Sequence, residues 1–149
     1  MMLLEVSTDK SMNQTADARK MMLFEVSTDK SVSGTADALC AAVQASHFSV
    51  MQVHDLKETM AKKGVEFARE CLIFEVCEPQ QAKRVLDESM SLSTVLPCRI
   101  SVYEKGGRTL LATLKPTTLL AMFNLPHLEK VAQEVEATIV KIMNEAASG

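Results

Sequence analysis

The sequence contains no tryptophan, one tyrosine and five phenylalanines in 149 residues. Sites that stack nucleobases are built from aromatic faces, and this chain has few to offer. A basic excess is also missing: 16 Lys and Arg stand against 19 Asp and Glu, for a net charge of −3. Proteins that follow a phosphate backbone carry a clustered positive footprint, so nucleic acid is not an expected partner. No apolar run approaches the roughly 20 residues of a bilayer-spanning helix. Met1-Met2-Leu3-Leu4 is interrupted by Glu5 well short of a signal-peptide core. We therefore expect no membrane association and a cytoplasmic location. Cys40, Cys71, Cys77 and Cys98 include no close-spaced pair, which argues against a zinc ribbon and for reduced thiols. The phosphate-loop pattern, the G-x-G-x-x-G pattern and a recognisable Ser-His-Asp order are absent as well.

What is present describes one ordinary globular domain. Hydrophobic residues make up 47% and charged residues 23%, and the length suits a single sizeable core. Ten methionines read as core filler. The N-terminus repeats itself: residues 1–20 and 21–40 agree at 14 of 20 positions. Two short units do not make a solenoid. The second copy runs into Leu39-Cys40-Ala41-Ala42-Val43, a convincing helix, whereas the first stops at Arg19-Lys20. Residues 1–20 are therefore expected to be a mobile duplicated leader, and 21–149 the α+β domain.

Along that domain, Met22 to Val26 reads as a strand. Ser31, Ser33 and Thr35 are rival N-caps for a helix that continues to about Ser46. Phe48, Val50, Gln52 and His54 alternate with Ser49, Met51 and Val53 in a second strand. Asp55 can cap a short helix ending at Gly64. Glu70 to Val76 is a third strand, and Pro79 suits the first turn of the next helix. Arg99 to Glu104 and Thr109 to Leu114 pair through Lys105-Gly106-Gly107-Arg108, since Gly-Gly permits the positive φ of a tight hairpin. The final helix carries Leu128, Val131, Ala132, Val135, Ile139, Ile142 and Met143 on one face.

The candidate chemistry gathers on two strand ends. Leu72-Ile73-Phe74-Glu75-Val76-Cys77-Glu78-Pro79 ends on one cysteine, and Leu96-Pro97-Cys98-Arg99-Ile100-Ser101-Val102-Tyr103 begins near another. If these strands are neighbours, Cys77 and Cys98 share a site. Arg99 either lowers the pKa of Cys98 by its charge or is simply an exposed strand residue, which is the preferred reading. His54, if it joins them and is not simply solvated at its strand end, completes a Cys/Cys/His set that suits a soft-to-borderline metal ion or a Cys–His nucleophile pair. The spacing does not choose between these. Cys40 and Cys71 read as core, His47 and His127 as surface.

These residues also carry a resemblance. Phe74-Glu75-Val76-Cys77-Glu78-Pro79, then Leu96-Pro97-Cys98-Arg99 leading to Val102-Tyr103-Glu104, then Lys115-Pro116, resemble the domain-of-unknown-function 302 family of bacteria and archaea. The likeness spans about Met21 to Asn144, and His54-Asp55 resembles a further position of the family pattern. It implies a β-α-β4-α fold, an antiparallel sheet with a long C-terminal helix packed on it, similar to TATA-binding-protein-like folds. It implies no established activity. Where the family usually has Asn, this chain has Glu78, a poorer helix cap and a negative charge that discourages a Cys77 thiolate.

Three functions are therefore expected to compete. One is a ligand- or metal-binding module with Cys77, Cys98, His54 and Arg99 at its site. The second is a thiol-dependent redox protein or enzyme using Cys98 or Cys77. The third is an interaction subunit, most simply a homodimer.

Overall fold

A computed structural model describes residues 17–148. The first sixteen residues of the duplicated leader lie outside that range. Residues 17–22 are helical and mostly exposed. Five strands follow: β1 (Leu23–Thr28), β2 (Ser49–Asp55), β3 (Cys71–Cys77), β4 (Cys98–Lys105) and β5 (Arg108–Leu114). Between and after them lie α1 (Val32–Ala45), α2 (Leu56–Lys62), α3 (Pro79–Glu88), α4 (Pro116–Ala121) and α5 (Glu129–Ala147). Two 3-10 turns, Met90–Val95 and Pro126–Leu128, complete the order.

Local chemistry fixes most boundaries. Of the three rival caps for α1, Ser31 is the one used, accepting from the Gly34 amide at 3.0 Å. Asp55 caps α2 through the Glu58 amide at 3.0 Å. Gly64, at φ +76°, follows the end of that helix. Glu78 caps α3, accepting from the amides of Gln80 and Gln81 at 3.1 and 2.8 Å, and Pro79 opens its first turn. The β4–β5 hairpin turns on Gly106 and Gly107, both at positive φ.

The sheet is antiparallel throughout, in the order β1-β5-β4-β3-β2. Thus β2 to β5 form a meander, and β1 joins it at the far edge. Its inner face presents Phe24, Val26, Phe74, Val76, Ile100, Val102 and Leu111 to α1 and α5, which pack on each other and on the strands. The expected stripe of α5 is the buried one: Leu128, Val131, Ala132, Ile139, Ile142 and Met143 are nearly inaccessible. Val135 alone stays half-buried. A smaller cluster joins Val85 of α3, Leu92 of the first 3-10 turn, and Leu128 and Val131 of the final helical segment. Leu92 is wholly inaccessible, so truncating it to Ala removes contacts worth about 2–5 kcal/mol.

Among the described residues no helix lies across the outer face. Strand register sets its rows. His54, Ile73, Ser101, Ala112 and Glu25 form one row across all five strands. Cys71, Tyr103, Leu110 and Ser27 form another. Cys71 is therefore half-buried on this face and not a core residue as its sequence context suggested. Among the described residues no helix is long and apolar enough to cross a membrane.

Candidate functional site

The two strand-end cysteines lie at the same end of the sheet. Val76 pairs with Cys98 across the β3–β4 ladder, which sets Cys77 one residue further along β3. Both line a cleft closed by α3, the 3-10 turn with the cis Leu96–Pro97 peptide, α4 and α5. Of the sixteen residues around it, only Glu78 and Gln81 have polar side chains besides the thiols. The rest are apolar, including Phe48, Val85, Leu119, Leu120, Val131 and Val135. Val135 is half-buried because it faces this cleft.

The cleft holds about 50 Å³ of free space. A water needs roughly 10–15 Å³ on the same measure, so the interior takes a short alkyl group or a few waters. A nucleotide does not fit. A shallower groove of about 490 Å³ runs along the other flank of α3, from Ser49 and Met51 to Leu86, and also touches Cys77.

Polar groups brace the rim. Gln81 accepts from Arg84 at 3.0 Å, and its amide reaches Glu134 at 3.5 Å. Glu136 of α5 accepts from the amide and hydroxyl of Thr117, at 3.2 and 2.7 Å. That carboxylate satisfies the start of α4, whose own cap residue, Lys115, makes no side-chain bond there. The wall carrying Leu119 and Leu120 is thereby tied to α5.

Electrostatics keep both thiols protonated. Burial pushes Cys98 up to about 11, helped by repulsion from a charged Cys77. Cys77 is raised by burial and then by the Glu78 carboxylate, as the departure from Asn at that position implied. At neutral pH only about one Cys98 in 10⁴ would be thiolate, which is poor preparation for a nucleophile.

His54 and Arg99 lie elsewhere, both with exposed side chains, as the plainer reading of each had it. His54 Nε2 lies 3.4 Å from Glu75 and Arg99 Nε 3.5 Å from the same carboxylate, all three on the outer face. A bulge sets the face of His54, and its distance along β3 keeps it from the cysteines. Register shifts between Val50 and Gln52, so the simple alternation that set His54 on the side of Val50 reverses. His54 then pairs with Ile73, about 13 Å along β3 from Cys77 at ~3.3 Å per residue. The Cys77/Cys98/His54 set is not brought together. Among the described residues no group of three or more His, Cys, Asp or Glu is placed to hold a metal ion. Arg99 likewise does not act on Cys98; its charge is spent on Glu75. Sequence reasoning missed Glu75 as the centre of that trio, although its position opposite Arg99 follows once β3 and β4 are aligned. It also missed Leu119, Leu120 and Val135 as cleft walls; Lys115-Pro116 was the nearest signal for the first two.

Fold and cleft together define a small α+β domain with one sheet face helix-covered, the other left open by the described residues, and a mostly apolar cleft at the sheet's end. Residues 24–146 match the family described as "Domain of unknown function DUF302", and the chain belongs to that family. It is similar to the solved structure of an uncharacterized conserved DUF302 protein from Bacillus stearothermophilus, at 30% identity and a TM-score of 0.80. That likeness covers 85% of this chain and 98% of the other. No curated protein matches.

Proposed function

We propose that this domain is a binding module that takes the apolar end of a small molecule into the cleft between Cys98, α3 and α5. The observation that carries it is the cleft's composition: twelve of its sixteen lining residues are apolar, the others being Cys77, Cys98, Glu78 and Gln81. Apolar clefts with few polar groups are the usual form of small-ligand sites. The free volume limits the buried part to a short alkyl group, with the remainder passing the Glu78–Gln81 rim. Protonated thiols favour binding over thiol catalysis. Four free cysteines suit a reducing compartment such as the cytoplasm. The test is thermal unfolding with millimolar n-hexanol. Binding raises the midpoint of the native chain, and Val135→Phe, which fills the cleft, removes the rise. An equal response in both chains refutes the reading.

A second reading concerns the open sheet face, for which we propose a second copy of this chain as occupant. Charge favours it. One edge of the central outer row carries His54 and the other Glu25, with Ile73, Ser101 and Ala112 between. A two-fold axis along the strands above β4 lays each His54 over the other copy's Glu25. Arg99 then approaches its own symmetry mate, each guanidinium already paired with its Glu75.

A further inference from the structure

Among the described residues β1 is an edge strand whose one strand partner is β5. The contacts that hold it and its exit are few and specific. Phe24 and Val26 pack against the core, and Thr28 is buried. Asp29 pairs with Arg108 at 3.2 Å. Lys30 donates its amide to the Thr28 hydroxyl and its ammonium to the Ala146 carbonyl, at 3.3 and 3.0 Å. Ser31 caps α1. On the approach, the Lys115 amide donates to the Met22 carbonyl at 2.7 Å.

Each β1-side residue in these contacts has a counterpart twenty residues earlier. Met2 matches Met22, and Leu3–Ser11 matches Leu23–Ser31 at eight of nine positions. The one change is Leu4 for Phe24. Thr8, Asp9, Lys10 and Ser11 stand where Thr28, Asp29, Lys30 and Ser31 make their contacts. The likeness fails where the helix becomes buried: Leu39, fully inaccessible, corresponds to Arg19. The first copy can therefore supply a strand and its exit but cannot supply α1.

We propose that residues Leu3–Thr8 are a second occupant of the β1 slot, exchanging with Leu23–Thr28 beside β5 while α1 stays in place. The exchange breaks and remakes only one ladder. It lengthens the connection to Val32 from 3 residues to 23, and closure cost grows only slowly with length. Phe24 buries more apolar surface than Leu4, and its connection is the shorter. Both favour the second copy, so Leu3–Thr8 is the minor occupant in the native chain. The device releases one strand from the sheet without opening the core.

The test uses four full-length chains: native, Val6→Asp, Val26→Asp and the double variant. Aspartate at the core-facing Val26 evicts its own copy, and at Val6 it disables the substitute. Val26→Asp should retain a cooperative unfolding transition, and its residues 3–8 should gain at least ~10-fold hydrogen-exchange protection as 23–28 lose theirs. Val6→Asp should unfold like the native chain, and the double variant should lose the transition or unfold far earlier than Val26→Asp. Equal midpoints for Val26→Asp and the double variant overturn the proposal. So does unchanged exchange at residues 3–8. A rescued Val26→Asp found only at twice the monomer mass also overturns it, because the occupant would then come from another chain.

Discussion

Cys98 is where burial and chemistry meet most directly. It pairs in register with Val76 and packs against the core, and burial raises its thiol pKa from 9.0 to about 11. In the unfolded chain the same thiol ionises at its ordinary value. Between the two values the unfolded state has lost a proton that the folded state keeps, so stability falls as pH rises. The contribution is fully present below pH 9 and is lost by about 11. The gap is worth about 2–3 kcal/mol. Urea midpoints at pH 7, 9 and 10.5 should therefore drop steeply at the alkaline end for the native chain. Cys98→Val, which keeps the volume and removes the ionisation, should flatten that part of the profile. An unchanged slope would mean that Cys98 is ionised as easily folded as unfolded.

At the scale of elements, Glu78 links a helix cap to a neighbouring thiol. Its carboxylate holds two amides of α3 and raises the pKa of Cys77. Glu78→Asn should keep a cap, since Asn is among the preferred residues there, while removing the charge. Stability should then change by less than about 1 kcal/mol, and the alkylation rate of Cys77 at pH 8 should rise several-fold. Glu78→Ala separates the effects: the rate rises similarly, but about 1 kcal/mol of stability is lost. Alkylation followed by mass mapping distinguishes Cys77 from the other thiols. The element order itself was legible in the sequence because each boundary had a local cause. Asp55, Pro79, Gly106-Gly107 and the stripe of α5 each act through their own backbone or periodicity. The cysteine pair was legible for the same reason, as two strand ends brought together by one ladder. His54 was not. Its face depends on a bulge at Val50/Gln52, and nothing in the alternation of Ser49 to Asp55 marks which residue is the extra one. The cleft's far wall was not legible either, because Leu119, Leu120 and Val135 reach it only through the packing of α4 on α5.

For the whole molecule, the open sheet face decides between a lone binding module and a paired one. Its outer strands lie four spacings apart, about 19 Å at ~4.8 Å each, and each strand offers some three outward residues. Two such faces together cover on the order of 1,000 Å², near the lower limit for a specific interface. The homodimer proposed through this face is accordingly expected to be weak, forming at tens of micromolar and dissociating on dilution. Light scattering should give twice the 16.3 kDa chain mass at high concentration. Ala112 sits mid-row between Ser101 and Glu25 and points away from the core, so Ala112→Arg should yield a monomer with an unchanged melting midpoint. Glu25→Lys should weaken the dimer several-fold by replacing the carboxylate opposite the other copy's His54 with an ammonium, and high salt should mute the effect. A native chain that stays monomeric at a hundred micromolar would remove the second copy from the open face. So would a dimer that Ala112→Arg leaves intact, because its contacts would then lie away from the row that carries His54 and Glu25.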